Sequence, residues 1–312
     1  MAVLSATARY RGRFAPSPTG PLHFGSLVAA LGSYLQARHQ DGEWLVRIED
    51  LDPPREVPGA SHAILTTLER YGFEWDGELW YQSQRHAVYL DILDELARSG
   101  LSYRCGCSRK QVMEQQQRLG LPAGVYPGTC RSRQASPHDQ HAIRLNTEAQ
   151  RVSFVDGIQG PIEQDVEHEV GDFVLRRADG FFAYQLAVVV DDAAQGITEI
   201  VRGSDLLDST ARQIVLQRQL GYPTPDYHHL PVAVNELGQK LSKQTYAPAL
   251  SADNPLPALW RALEFLGQRP LPELLEGDLA SFWRWAIGNW NAQAIPRKLA
   301  IPYPDKCLAG ET

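Results

Sequence analysis

Apolar positions along the chain recur with two different periods, and these predict alternating strands and helices. Residues 11–15 read as a short extended segment, followed at 16–20 by a loop rich in turn-forming residues. Leu22, Leu27, Ala30, Leu31, Tyr34 and Leu35 recur at helical spacing and predict a helix over 22–38. Residues 44–48 read as a strand, so a parallel β–α–β unit is expected at the start of the chain. Further helices are predicted over 60–71 and 87–99. From Tyr103 to about Gly180 cysteine, glutamine, proline and short strand-like pieces dominate, which predicts an inserted subdomain. Residues 182–191 contain the longest apolar run and read as a buried strand. A strand over 197–202, a helix over 209–220 and a strand-like segment at 230–234 follow. Helices around 255–266 and 279–292 complete the chain. The expected fold class is α/β, a doubly wound parallel sheet with an insert. Its halves are 1–102 and 181–245, the insert is 103–180, and 246–312 is a short helical region.

Composition narrows the picture. The chain has 312 residues, 43% hydrophobic and 21% charged, close to an ordinary globular protein, which argues against extensive disorder. A net charge of -7 excludes a uniformly basic nucleic-acid coat but leaves a local basic face open. The N-terminus has no apolar core of signal-peptide length, and no apolar run reaches the roughly 18 residues of a membrane span. A cytoplasmic location and a monomer are expected. In that setting the four cysteines argue against structural disulfides.

Four strings carry candidate chemistry. In RFAPSPTGPLHFGS (13–26) a proline- and glycine-containing loop enters a helix, whose free N–H groups and dipole favour anions. His23 there can bind a phosphate, and Gly25 leaves room for a flat base against the backbone. In RIEDLDPPR (47–55) a strand ends in carboxylates, where doubly wound folds place ligands and where Glu49 can hold an ammonium group. Tyr184 opens the 182–191 segment, and Arg202 ends a strand with a planar donor suited to a carboxylate. In KLSKQ (240–244) two lysines three residues apart can offset charge on a departing pyrophosphate.

Together these strings resemble class I aminoacyl-tRNA synthetases of the glutamyl branch, over about residues 11–244. The first string departs from the His-Ile-Gly-His signature at Phe24 and Ser26, and the last departs from Lys-Met-Ser-Lys-Ser at Leu241 and Gln244. The resemblance implies an ATP site at Pro16, Gly20, His23, Gly25, Lys240, Ser242 and Lys243, with Mg²⁺ accompanying ATP. It implies a glutamate pocket of Arg13, Phe14, Ala15, Pro16, Ser17, Glu49, Tyr184 and Arg202, with Arg13 a candidate for a substrate carboxylate. His23, Gly25, Lys240 and Lys243 would serve catalysis. Only 69 residues follow Lys243, too few for an anticodon-reading domain of ordinary size, on the order of 100 residues. That pattern resembles the branch that forms glutamyl-adenylate without tRNA and esterifies glutamate to the cyclopentenediol of queuosine in tRNA(Asp). The expected partners are therefore ATP, L-glutamate and queuosine-containing tRNA(Asp). The rivals are a short synthetase charging an acceptor end, another nucleotidyltransferase of this signature, and a silent tRNA-binding protein.

Cys105, Cys107 and Cys130 supply three thiolates for one structural zinc ion, which wants four tetrahedral ligands. Chemistry alone points to His138 or His141 as the fourth. The resemblance implies instead Tyr126, four residues before Cys130.

Overall fold

The computed structural model describes residues 9–132, 135–136, 140–235, 238–240, 249–251 and 253–303. Strand β1 (Arg11–Phe14), helix α1 (Phe24–His39) and strand β2 (Glu43–Ile48) form the expected parallel unit, with Arg11 opposite Glu43 and Phe14 opposite Val46. Helix α1 is buried almost all round, which explains why its apolar residues outnumber those of a single stripe. The short β3 (Trp80–Tyr81) extends the sheet beyond β2. Helices α2 (Ala60–Arg70) and α3 (His86–Arg98) fall where the sequence places them.

The chain returns to this layer with β9 (Glu199–Gly203) and β10 (Asp226–Leu230), which pair in parallel. The Thr198 N–H donates to the Arg11 carbonyl at 2.9 Å, so β9 lies beside β1. Helix α7 (Leu207–Leu220) connects β9 to β10. The predicted strand at 230–234 is interrupted at Pro231, which has no N–H for a ladder, and resumes as β11 (Val232–Val234).

The expected strand over 182–191 is a helix, α6 (Tyr184–Ala194). Its three consecutive valines carry strand propensity, but a continuous apolar run does not distinguish a strand from a buried helix. The deciding feature is Asp191–Asp192. A strand would send the two carboxylates to opposite faces, one of them away from the core, whereas both are buried, Asp192 beside Arg13 and Arg47 and Asp191 beside Arg85.

Between β3 and α6, where the sequence predicts an insert, the chain forms an antiparallel sheet of β4 (Ser102–Cys105), β5 (Ala142–Leu145) and β8 (Val174–Arg176). Beside it lie the hairpin β6 (Arg151–Asp156) and β7 (Gly160–Asp165), and the one-turn helix α5 (Val166–Glu169). The same stretch also contains α4 (Arg109–Leu119), which the strand-like reading missed and which begins with a capping box between Ser108 and Gln111. Helices α8 (Leu256–Phe265) and α9 (Leu279–Asn289) share one apolar core with α1, and β12 (Ala300–Pro302) pairs with β11. Among the described residues no helix is long and apolar enough to cross a membrane.

Candidate functional site

A cavity of about 780 Å³ opens where β1, β2, β9 and β10 end. Its wall includes Arg13, Phe14, Ala15, Pro16 and Ser17 from the end of β1, and His23 and Gly25 from the start of α1. Glu49, Tyr184, Arg202 and Lys240 complete the set drawn from distant parts of the chain. Gly20 is not in the wall; with φ of 137° it bends the backbone ahead of α1. Ser242 and Lys243 lie outside the described residues. His23 is the N-cap of α1, and its Nδ1 accepts from the Ser26 N–H at 3.3 Å. A neutral ring that accepts at Nδ1 carries its proton on Nε2, so His23 is set as a donor at the positive end of the helix.

Beneath the cavity lies a buried charge cluster. Arg47, fully buried, donates to Asp192 at 2.8 Å and to Gln195 at 2.6 Å, and sits 3.5 Å from Glu49. Arg13 uses its Nε and Nη2 groups on Asp192, at 3.1 and 3.3 Å. Arg13 is expected from the resemblance to meet a substrate carboxylate; the Nε–Nη2 edge of its guanidinium is committed to Asp192 of helix α6. Burial pushes the Glu49 carboxyl up to about 7, against the pull of Arg47 and Arg13. Burial also opposes the Asp192 charge, but Arg13 and Arg47 outweigh it and hold that carboxyl below its ordinary value.

Arg202 forms the other wall. It donates to Tyr184 Oη at 3.4 Å, to Thr210 Oγ1 at 2.8 Å and to His229 Nε2 at 3.0 Å. His229 in turn meets Asp156 at 2.6 Å. Neither His229 nor Asp156 stood out in the sequence. The sequence signals were an Asp-Gly pair and one of two adjacent histidines in the mixed string DYHHL, 73 residues apart. At the rim, Lys240 pairs with Asp205 at 2.5 Å.

The three clustered cysteines of the sequence come together at one point. The sulfurs of Cys105, Cys107 and Cys130 lie within 4.8 Å of one another. Tyr126 Oη is 3.3 Å from Cys105 Sγ and 3.6 Å from Cys107 Sγ. A tetrahedral zinc with Zn–S bonds of about 2.3 Å separates its sulfurs by roughly 3.8 Å, so this donor set fits. Among the described residues His141 is not part of the group, and His138 lies outside them. Gly171, at φ of 70°, abuts the Tyr126 backbone so closely that a Cβ would meet its carbonyl oxygen at 2.5 Å.

Residues 9–254 match the family described as tRNA synthetases class I (E and Q), catalytic domain. The chain is 57% identical to a glutamyl-Q tRNA(Asp) synthetase of Dechloromonas aromatica, over 95% of this chain and 98% of that protein. It is 54% identical to one from Pseudomonas paraeruginosa, with the same coverage. The chain belongs to the glutamyl-Q tRNA(Asp) synthetase family. As a member of that family it is a ligase of the aminoacyl-tRNA synthetase type. Its fold is that of the class I synthetase catalytic domain. The glutamate-tRNA synthetase of Elizabethkingia anophelis superposes with a TM-score of 0.79 at 22% identity, over 96% of this chain and 69% of that one. Relative to that family frame, the additions made by the structure are Arg47, Asp192, His229 and Asp156, which hold the expected pocket residues from behind.

Proposed function

We propose that the protein activates glutamate with ATP as glutamyl-adenylate, without tRNA, and transfers glutamate to the cyclopentenediol of queuosine in the anticodon loop of tRNA(Asp). The observation that carries this reading is a single cavity lined by the Glu49 carboxyl, the Arg202 guanidinium and the start of helix α1. Glu49 receives the substrate ammonium, and Arg202 with Tyr184 receives the side-chain carboxylate, a group that neutral glutamine lacks. Arg13, through its neighbours Phe14 to Ser17, shapes the pocket's floor. ATP lies against Pro16 and the α1 N-terminus, where His23 donates to phosphate and Gly25 admits the base, while Gly20 bends the backbone that leads into this wall. Lys240, Ser242 and Lys243 stabilise the departing pyrophosphate, and Mg²⁺ accompanying ATP would offset the phosphate charge. Adenylation converts a poor electrophile into a mixed anhydride, and the catalysis is positioning and charge stabilisation. The catalytic layer is read as a doubly wound, Rossmann-type sheet split by an insert in which Cys105, Cys107, Tyr126 and Cys130 hold one structural zinc. The names of the relatives support the queuosine acceptor.

The test is glutamate transfer by purified protein with ATP, using tRNA(Asp) with and without queuosine. Alkali-labile glutamate on queuosine-containing tRNA alone is the expected result. Charging of tRNA(Glu) regardless of queuosine would indicate a short synthetase acting at an acceptor end. Absence of both transfer and glutamate-dependent pyrophosphate exchange would leave a binding protein.

A further inference from the structure

The turn of the insert's β6–β7 hairpin is built against strand β10. Gly157 N–H donates to the Tyr227 carbonyl at 2.8 Å, and Gln159 Nε2 donates to the His229 carbonyl at 2.7 Å. Asp156 organises this turn: its Oδ1 accepts from the N–H groups of Ile158, Gln159 and His229, at 3.0, 2.9 and 3.1 Å. Its Oδ2 is left for His229 Nδ1 at 2.6 Å. Both side chains are buried, and so is Arg202.

The proton positions follow from the donors. Arg202 has no acceptor, so its Nε–H requires an unprotonated His229 Nε2. The imidazole is therefore neutral, with its proton on Nδ1 and given to Asp156. We infer that Asp156 and His229 are positioning residues for glutamate specificity: they fix the imidazole tautomer that orients Arg202 toward the substrate carboxylate. Burial lowers the His229 pKa, consistent with a neutral ring beside a cation. Nε is thereby held by His229 and Nη2 by Leu206 and Thr210, which leaves Nη1, beside Tyr184 Oη, for a substrate carboxylate in the cavity that Arg202 and Tyr184 line. Pocket charge selection is thus coupled to the insert, through two residues absent from the cavity wall. This inference rests on the proposed role of Arg202.

Isosteric variants separate orientation from folding. In Asp156→Asn, Oδ1 keeps the three backbone donors and the amide NH₂ faces Nδ1. The imidazole must then switch tautomer and present Nε2–H to Arg202 Nε–H, donor against donor. The glutamate KM in pyrophosphate exchange should rise between about 10-fold and 100-fold, the scale of one lost hydrogen bond to a charged group, with the ATP KM unchanged. His229→Asn keeps a donor for Asp156 but loses the acceptor for Arg202, so it should also raise the glutamate KM. His229→Gln carries its amide oxygen near the Nε2 position, so it should largely restore the glutamate KM while lowering the melting temperature. Adding Asp156→Asn to His229→Gln should cost little further, because no tautomer remains to switch. If Asp156→Asn does not fold, the His229→Asn and His229→Gln pair decides the question. An unchanged glutamate KM in both Asp156→Asn and His229→Asn, while Arg202→Lys raises it, would overturn the positioning role and leave the pocket reading intact. An unchanged glutamate KM in Arg202→Lys would overturn the pocket reading, and the inference with it.

Discussion

Glu49 is the residue whose environment most directly sets a measurable property. It stands at the end of β2 with its carboxyl buried over two arginines, and burial holds its pKa at about 7 despite them. In the role proposed for Glu49 a substrate ammonium pairs with the carboxylate and not with the carboxylic acid, so glutamate binding would first remove that proton below pH 7. The glutamate KM should therefore rise about 10-fold between pH 8 and pH 6, one proton per site, and Glu49→Gln should show a high KM with no such slope. A wild-type KM that stays flat over that range would show that Glu49 is already ionised in the free enzyme. The same shift has a stability sign. Between its ordinary value and about 7 the folded protein binds the proton more strongly than the unfolded chain, so stability falls as pH rises through this window. Above pH 7 the free protein carries the whole penalty, on the order of a few kcal/mol, and Glu49→Gln should raise the ligand-free melting temperature there. The strings around Arg13, Glu49 and Arg202 were legible because each lies in a contiguous motif at a strand end. Arg47, Asp192, His229 and Asp156 were not, because their importance comes from partners that only the fold brings near.

Helix α6 shows what the period of apolar residues conveys and where it stops. The β1–α1–β2 unit was readable because long, regular spacing separates two extended runs, and the observed bounds differ from the expected ones by one or two residues. In α6 the apolar run is short and all-buried, so its period carries no information, and its valines bias the reading toward a strand. The polar residues at its C-terminal end decide the conformation. Asp192 ties the helix to β1 through Arg13 and to β2 through Arg47, and Asp191 takes donors from Arg85, Tyr89 and Gln82. Replacing Asp192 by Ala leaves two buried guanidinium groups without their main counter-charge. Urea denaturation should show a loss of about 3–5 kcal/mol, the usual cost of removing one partner from a buried ion pair. The glutamate KM should also rise, since Arg13 and the neighbouring Glu49 lose a fixed reference. A loss under about 1 kcal/mol would place Asp192 among ion pairs of surface strength, which its burial does not allow.

At the scale of the molecule, the final helices are part of the catalytic layer's core and not an appendage. Trp283 of α9 stacks edge-on against Tyr34 of α1 and Phe73, with centroids at 4.9 and 5.0 Å, and its Nε1 donates to the Tyr71 carbonyl at 3.1 Å. Trp290 reaches back to Gln36 on α1 at 2.7 Å. The second position of the signature, Phe24, is fully buried and stacks on Tyr303 at 4.0 Å, so its departure from isoleucine is a packing matter between α1 and the segment after β12. Because α1 carries His23 and Gly25 at one end and these aromatic contacts along its length, the pocket and the C-terminal helices are mechanically one unit. Trp283→Ala should cost about 3–5 kcal/mol, through lost burial and the cavity left behind. The loss should appear as a single cooperative transition in which glutamate binding and helical signal disappear at the same urea concentration. If α8 and α9 instead melted first, with glutamate affinity retained by what remained folded, α1 would be anchored by the sheet alone. The packing argues against that outcome: besides β1 and β2, α1 packs against α8, α9, β9 and β11, and it shares one apolar core with the final helices.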